Sequence, residues 1–199
     1  AETIRLEPPV KVVALSDGAE VSCRALVVAP GLTARRLDVP GAAGFEGAGV
    51  YYGAGLSEIA TYRDQDVFVI GGANSAGQAA MMFSRFCRSV GLVVRGGSLE
   101  ARMSKYLIDQ IRRTENIEVL LEHRIAEVGG GTRVEWVSLE GLVDGQRDKR
   151  EAAAVFVFAG AAPHSDPVAG LVALNEQGFI LTGPDLMPGG TRHPDWPLE

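Results

Sequence analysis

The chain has 199 residues, 46% of them hydrophobic, with a formal charge of -6 and a pI near 5.2; that is enough for one good core or two small ones. Its nineteen Lys and Arg are scattered and not striped, which leaves no basic footprint for a nucleic-acid backbone. No apolar run approaches the length needed to cross a bilayer, and no basic-then-apolar leader opens the chain, so a globular protein of the cytoplasm is expected.

In chain order, residues 10–15 and 20–29 read as the strands of a hairpin around the turn signal Ser16-Asp17-Gly18. Pro30-Gly31 opens an irregular stretch to Gly55 with the composition of a crossing between domains. Val67 to Ile70 are four consecutive large apolar residues bounded by glycine, a strand buried on both faces. The spacing of Ala76, Ala79, Ala80, Phe83 and Cys87 predicts a helix over about 75–90, ended by Gly91. Leu92-Val93-Val94 is a second buried strand. A second helix is predicted over about 101–113 with Met103, Tyr106, Leu107 and Ile111 on one side, then a third strand over 117–121. Strand, helix, strand, helix, strand is the mononucleotide-binding half of a doubly wound parallel sheet with right-handed crossovers. Strands over 124–128, 133–139 and 150–158, separated by Gly129-Gly130-Gly131 and Asp144-Gly145, predict an antiparallel meander whose apolar end, 154–158, returns to the buried sheet. The loop-rich end after Gly160 holds one short strand, 178–181.

The stretch from Asp66 to Gly77 is where a cofactor phosphate would sit. Gly71 permits a tight turn, Gly72 follows it, and Ala73 and Ala76 keep side chains small where backbone must approach a ligand and helix must approach sheet. A helix opening at Asn74-Ser75 presents free backbone N–H groups and a positive dipole end to a pyrophosphate. The pattern is G-x-A-x-x-A where the stricter fingerprint is G-x-G-x-x-G. The residue closing the next strand reads the ribose, and here it is Arg95, a cation that favours the 2′-phosphate of NADP over the 2′-hydroxyl of NAD. Ser98 and Arg102 are further candidate contacts, and Glu100 argues weakly the other way. Cys23 and Cys87 lie far apart, with no Cys-x-x-Cys and no Cys/His ligand spacing, and His123, His164 and His193 are dispersed, so neither a metal nor a redox centre is expected.

Four segments in order carry a family resemblance: Val27-Val28-Ala29-Pro30-Gly31 with Arg36-Leu37-Asp38-Val39-Pro40-Gly41; Tyr62-Arg63-Asp64-Gln65 with Val69-Ile70-Gly71-Gly72-Ala73-Asn74-Ser75-Ala76; Leu92-Val93-Val94-Arg95; and Gly160-Ala161-Ala162-Pro163. With these the chain resembles the thioredoxin reductase-like branch of the pyridine nucleotide-disulphide oxidoreductase flavoproteins. The resemblance implies a Rossmann-like parallel sheet with a βαβαβ unit and an antiparallel β-meander, the FAD/NAD(P)-binding fold, with partial β-rich FAD-domain segments at both ends. It implies a partial FAD-domain segment at 1–46, an NAD(P)H-binding domain at 47–163 and a return segment at 164–199. Gly160 and Pro163 match the family's close of the NADPH domain. NADPH would pass a hydride to FAD in the intact protein, while this chain, which begins without Met and in mid-pattern and lacks the family's FAD-phosphate motif, is expected to be an excised piece unable to hold FAD alone and inactive by itself.

The family's Cys-x-x-Cys falls here on Ala54 and Ser57, so the usual dithiol chemistry is unsupported, since only a thiolate can exchange with a disulphide. Gly96 and Glu100 stand where the family carries further phosphate-binding arginines, and Pro30 where it carries a threonine. The redox acceptor is left open among a thioredoxin-like protein, a ferredoxin and small molecules such as a quinone; a homodimer would be usual for proteins of this kind. Two rivals remain. One is a non-catalytic NAD(P)H-binding or sensing module. The other, remote, is a serine hydrolase with Ser75 as nucleophile and Asp166 and His193 as partners, which lacks the glycine two residues before Ser75.

Overall fold

In a computed structural model, which describes residues 2–53 and 56–191, the chain divides into two units: Ala34–Gly160, and Ala1–Thr33 with Ala161–Glu199. The second of these begins with an antiparallel sheet of β1 (Thr3–Glu7), β2 (Val10–Ala14) and β3 (Glu20–Cys23) in that order. The expected turn closes β2 onto β3: Gly18 takes φ 84°, its N–H donates to Leu15 O at 3.0 Å, and the Ala19 N–H donates to Asp17 Oδ1 at 3.0 Å. The strand expected to run to residue 29 stops at Cys23. No strand among the described residues lies beside 26–29, and Val27 is 90% exposed, so the apolar run has neither ladder nor cover. In the same unit the strand expected at 178–181 is a single bridge, Leu174 to Ile180, because Asn175 Oδ1 accepts from the N–H groups of Gln177 and Phe179 and bends the chain into a local turn.

The Ala34–Gly160 unit is three layers deep. After β4 (Leu32–Ala34) come β5 (Val50–Tyr52), helix α1 (Leu56–Thr61), β6 (Asp66–Ile70), α2 (Asn74–Phe83), β7 (Ser89–Val94), α3 (Lys105–Arg113), β8 (Ile117–Leu121), β9 (His123–Gly129), β10 (Trp136–Gly141), β11 (Arg147–Glu151) and β12 (Ala154–Val157). A parallel sheet of order β5-β12-β6-β7-β8 forms the middle layer. Alternate residues of its strands point to opposite faces. Val67, Val69, Leu92, Val94, Ala154 and Phe156 pack under α2 and α3. Phe68, Ile70, Val93, Val155 and Val157 pack on the antiparallel meander β11-β10-β9 through Ile125, Val128, Val137 and Leu139. Burial on both sides is why these strands read as unbroken apolar runs.

Several boundaries move from their expected places. Helix α2 ends at Phe83 and not near residue 90. The Phe86 and Cys87 N–H groups both donate to Phe83 O, and the Asn116 amide donates to Ser84 O at 2.9 Å and Cys87 O at 3.2 Å, capturing carbonyls at the helix end. Gly91 is no helix stop: it lies inside β7, opposite Phe68, where a Cβ would fall 2.5 Å from the Phe68 ring. Helix α3 starts at Lys105, after an extended Ser104, and Tyr106 is exposed while Ile108 takes its place in the core. The run 150–158 is two strands. β11 pairs with β10, and then the Ala152 N–H donates to Glu135 O and the Ala153 N–H to Asp66 O as the chain switches sheets to become β12. β5, a three-residue strand between glycines, was hidden in the expected crossing loop. Among the described residues no helix is long and apolar enough to cross a membrane.

Candidate functional site

The site grows from the carboxyl end of β6. Gly71 takes φ 147°, its N–H donates to Val93 O at 3.0 Å, and a Cβ there would lie 2.8 Å from both Phe158 O and Ala76 Cβ. Only glycine suits that backbone and that gap. At Gly72 a Cβ would meet Val94 Cγ1 at 2.9 Å. Ala73 is the N-cap of α2 with extended backbone and no side chain to cap it, and the first intrahelical donor is the Gly77 N–H, to Ala73 O at 3.1 Å. The amides of Asn74, Ser75 and Ala76 therefore have no intrahelical acceptor. Ala73, Asn74 and Ser75 are exposed, and Ala76 is buried against the sheet. Gly77 lets α2 approach α3, since a Cβ would sit 2.8 Å from Leu107 Cδ2 and Met103 Sδ.

Arg95 stands immediately beyond β7, exposed, and among the described residues it has no ion pair or side-chain hydrogen bond. Ser98 and Arg102 lie exposed on the same connection to α3 and are likewise uncommitted. Glu100, the one residue that argued against a 2′-phosphate, is engaged by Arg112 at 2.7 Å. Its own backbone N–H and then Arg112 hold that carboxyl below the usual carboxylate range. Gly160, φ 86°, follows β12 and accepts from the Arg35 N–H at 3.0 Å. Gly71, Arg95 and Gly160 thus leave the carboxyl ends of three neighbouring strands, β6, β7 and β12, the edge at which open α/β sheets take ligands. Pro163 belongs to the other unit, where it is half-buried.

Two residues that sequence reasoning did not single out hold this loop. Ser104 donates from its N–H and from its Oγ to Asn74 Oδ1, at 2.8 and 3.0 Å. Glu122, at φ 54°, donates its N–H to Gly96 O at 3.1 Å, and its carboxylate lies 3.6 Å from the position of a Cβ on Gly97. Serine directly before a helical run was the available signal for Ser104; nothing local marks Glu122.

A cleft of about 620 Å³ opens at the opposite, amino-terminal edge, lined in part by Asp66, Arg88, Trp136 and Lys149. Two of its charges are spent on each other. Arg88 forms a bidentate pair with Asp66, which Ser89 Oγ also contacts at 2.7 Å, and Lys149 Nζ lies 3.6 Å from the centroid of the Trp136 ring. Arg88 holds the Asp66 carboxyl below its usual range.

Cys87 is 6% exposed, and burial, with Asp66 and Asp64 nearby, pushes its thiol up to about 11. A thiol held protonated in a core is inert. Labelling with a thiol reagent at neutral pH is expected to modify the partly exposed Cys23 first and Cys87 only after denaturant is added; fast native labelling of Cys87 would contradict the packing. Ala54 and the side chain of Ser57 lie outside the described residues, as does His193. Ser75 makes no side-chain hydrogen bond among the described residues.

The geometry is that of an α/β domain of the dinucleotide-binding type. The model of the pyridine nucleotide-disulphide oxidoreductases matches residues 2–189, and the chain belongs to that family. A thioredoxin reductase of Mycolicibacterium smegmatis is 36% identical over 184 residues, covering 90% of this chain and 56% of that protein. A bifunctional thioredoxin reductase/thioredoxin of Mycobacterium leprae is 33% identical over 180 residues, covering 90% and 39%. The solved thioredoxin reductase of Giardia duodenalis superposes with a TM-score of 0.79 at 26% identity, covering 92% of this chain and 59% of that one. The chain spans about half the length of the curated relatives it matches. The family resemblance and the fold class read from the sequence are borne out, and the hydrolase reading of Ser75 is left without support.

Proposed function

We propose that this chain is the NADPH-binding portion of a thioredoxin reductase-like flavoprotein oxidoreductase. The nucleotide domain is the Ala34–Gly160 unit, which takes in all but the last three residues of the expected 47–163, and Ala1–Thr33 with Ala161–Glu199 is the piece of an FAD domain. The observation that carries the reading is the uncapped amino end of α2 beside the uncommitted Arg95 at the carboxyl edge of the sheet. The amides of Asn74, Ser75 and Ala76 would donate to the pyrophosphate, and the glycines at 71 and 72 let the turn close against Phe158, Ala76 and Val94, which sets where those amides point. Arg95, with Ser98 and Arg102, would face the 2′-phosphate of the adenine ribose. Bound NADPH supplies a hydride and FAD accepts it; the part of these residues is to bind and orient the nucleotide. Gly160 lies at the same edge and is assigned to the nucleotide contact, and Pro163 is assigned with it on the family pattern alone.

Titrating the chain with NADPH and NADH tests this. NADPH is expected to bind more tightly, and Arg95→Ala to reduce the preference about ten- to a hundredfold, the worth of one charge-assisted hydrogen bond. An unchanged preference would remove Arg95 from the reading. The positions of the family's dithiol hold Ala54 and Ser57, so electrons leaving the flavin go to an acceptor that needs no thiol relay here, or to a thioredoxin-like protein with another cysteine source. The same absence favours one second reading, a nucleotide sensor without turnover. An intact gene product that is yellow and bleached by NADPH supports the oxidoreductase, and a colourless one supports the sensor. A cytoplasmic homodimer is the assembly proposed for the intact protein.

A further inference from the structure

We propose that the Asn74–Ser104 contact is a positioning device that couples the pyrophosphate turn to the ribose-reading loop and so sets the preference for a 2′-phosphate. The inference rests on the nucleotide reading above and adds to it a residue, Ser104, that is not among the proposed nucleotide contacts. The loop between β7 and α3 carries Arg95, Ser98 and Arg102, none of which is fixed by a side-chain partner among the described residues. It is fixed at its ends and from beneath. Gly96 O accepts from the Glu122 N–H at one end, Leu99 and Met103 are 3% and 5% exposed, and Ser104 binds Asn74 at the other end.

What Ser104 does with its hydroxyl carries the argument. Serine at a helix N-cap ordinarily accepts from an amide of its own first turn. Ser104 is the N-cap of α3 and makes no such bond. Its Oγ and N–H are both directed to Asn74 Oδ1, the first residue of α2, thirty positions earlier. Asn74 Oδ1 accepts from both donors, which fixes the Asn74 side chain and ties the loop to the turn whose amides face the pyrophosphate. A nucleotide with a 2′-phosphate must satisfy both ends at once, and one without it must satisfy only the turn. Loosening the tie therefore penalises NADPH more than NADH.

The test is nucleotide titration of the 199-residue chain and its variants, with Kd for NADPH and NADH read side by side. Ser104→Ala, which keeps the N–H bond and loses the Oγ bond, is expected to weaken NADPH about fivefold and NADH less than about twofold, near the net worth of one hydrogen bond. Ser104→Thr, which keeps the hydroxyl, is expected to retain the parent ratio. Asn74→Ala removes both bonds and is expected to shift the ratio further in the same direction. Equal weakening of both nucleotides in the alanine variants, or a Thr variant that behaves like Ala, overturns the coupling while leaving the nucleotide site intact. A parent chain that binds neither nucleotide overturns the site itself and the coupling with it.

Discussion

Phe156→Ala is expected to destabilise the Ala34–Gly160 unit by about 3–5 kcal/mol, the cost of emptying a buried aromatic site that cannot collapse. Phe156 is fully buried in β12, and its ring is stacked on Tyr51 at 5.3 Å, tilted against Phe83 at 4.1 Å and edge-on to Tyr62 at 5.8 Å. Its neighbours are held by other bonds, for the Tyr51 and Tyr62 hydroxyls are joined at 2.8 Å and Phe83 is anchored in α2, so they cannot move in to fill the void. With total stabilities of about 5–15 kcal/mol for a domain, such a loss is a large share of the whole. Thermal unfolding should fall by on the order of 10–20 °C. Phe156→Leu, which keeps most of the volume, should lose about half as much or less. A Phe156→Ala chain melting within a few degrees of the parent would show that the Phe156 ring does not hold this core together.

Gly71→Ala is expected to raise the Kd for NADPH at least a hundredfold, about 2.7 kcal/mol, and to lower stability as well. Two independent penalties meet there. At φ 147° the backbone suits glycine, and a Cβ would lie 2.8 Å from Phe158 O and 3.2 Å from Phe158 Cβ. Phe158 cannot retreat, because its N–H is bonded to Ile70 O at 2.8 Å. The turn itself must shift, and the amides at the start of α2 shift with it. Gly72→Ala is the control: its backbone is not in the positive-φ region and its Cβ meets one side-chain atom, Val94 Cγ1, and no backbone, so its effect should be several-fold smaller. Equal effects at the two positions, or parent affinity in Gly71→Ala, would remove the turn from nucleotide binding.

The layered core was legible because a strand covered on both faces must be apolar at every position, and Val67 to Ile70 and 154–157 are. The turn was legible because glycine and alanine mark a close approach wherever they punctuate such a run. What escaped the sequence depends on partners far along the chain. Gly91 looks like a helix stop until Phe68 is seen lying over it. The end of α2 is set by Asn116, more than thirty residues later. Tyr106 and Ile108 differ by half a turn of α3, and it is Ile108 that shares the buried face of Leu107 and Ile111. In the site, the residues that would meet the nucleotide carry local signals, whereas Ser104 and Glu122, which hold the loop in place, acquire their roles only when the strands are side by side.

The engagement of Glu100 by Arg112 also changes what an approaching anion feels. With that pair cancelled, the connection after β7 carries two cations, Arg95 and Arg102, beside one carboxylate, Glu122 just past β8, a local excess of one positive charge on a chain whose sum is -6. At physiological ionic strength the field of distant charges fades within about 8 Å. The overall acidity therefore does not repel a nucleotide at close range, and the attraction acts over the last steps of docking, with no long-range steering.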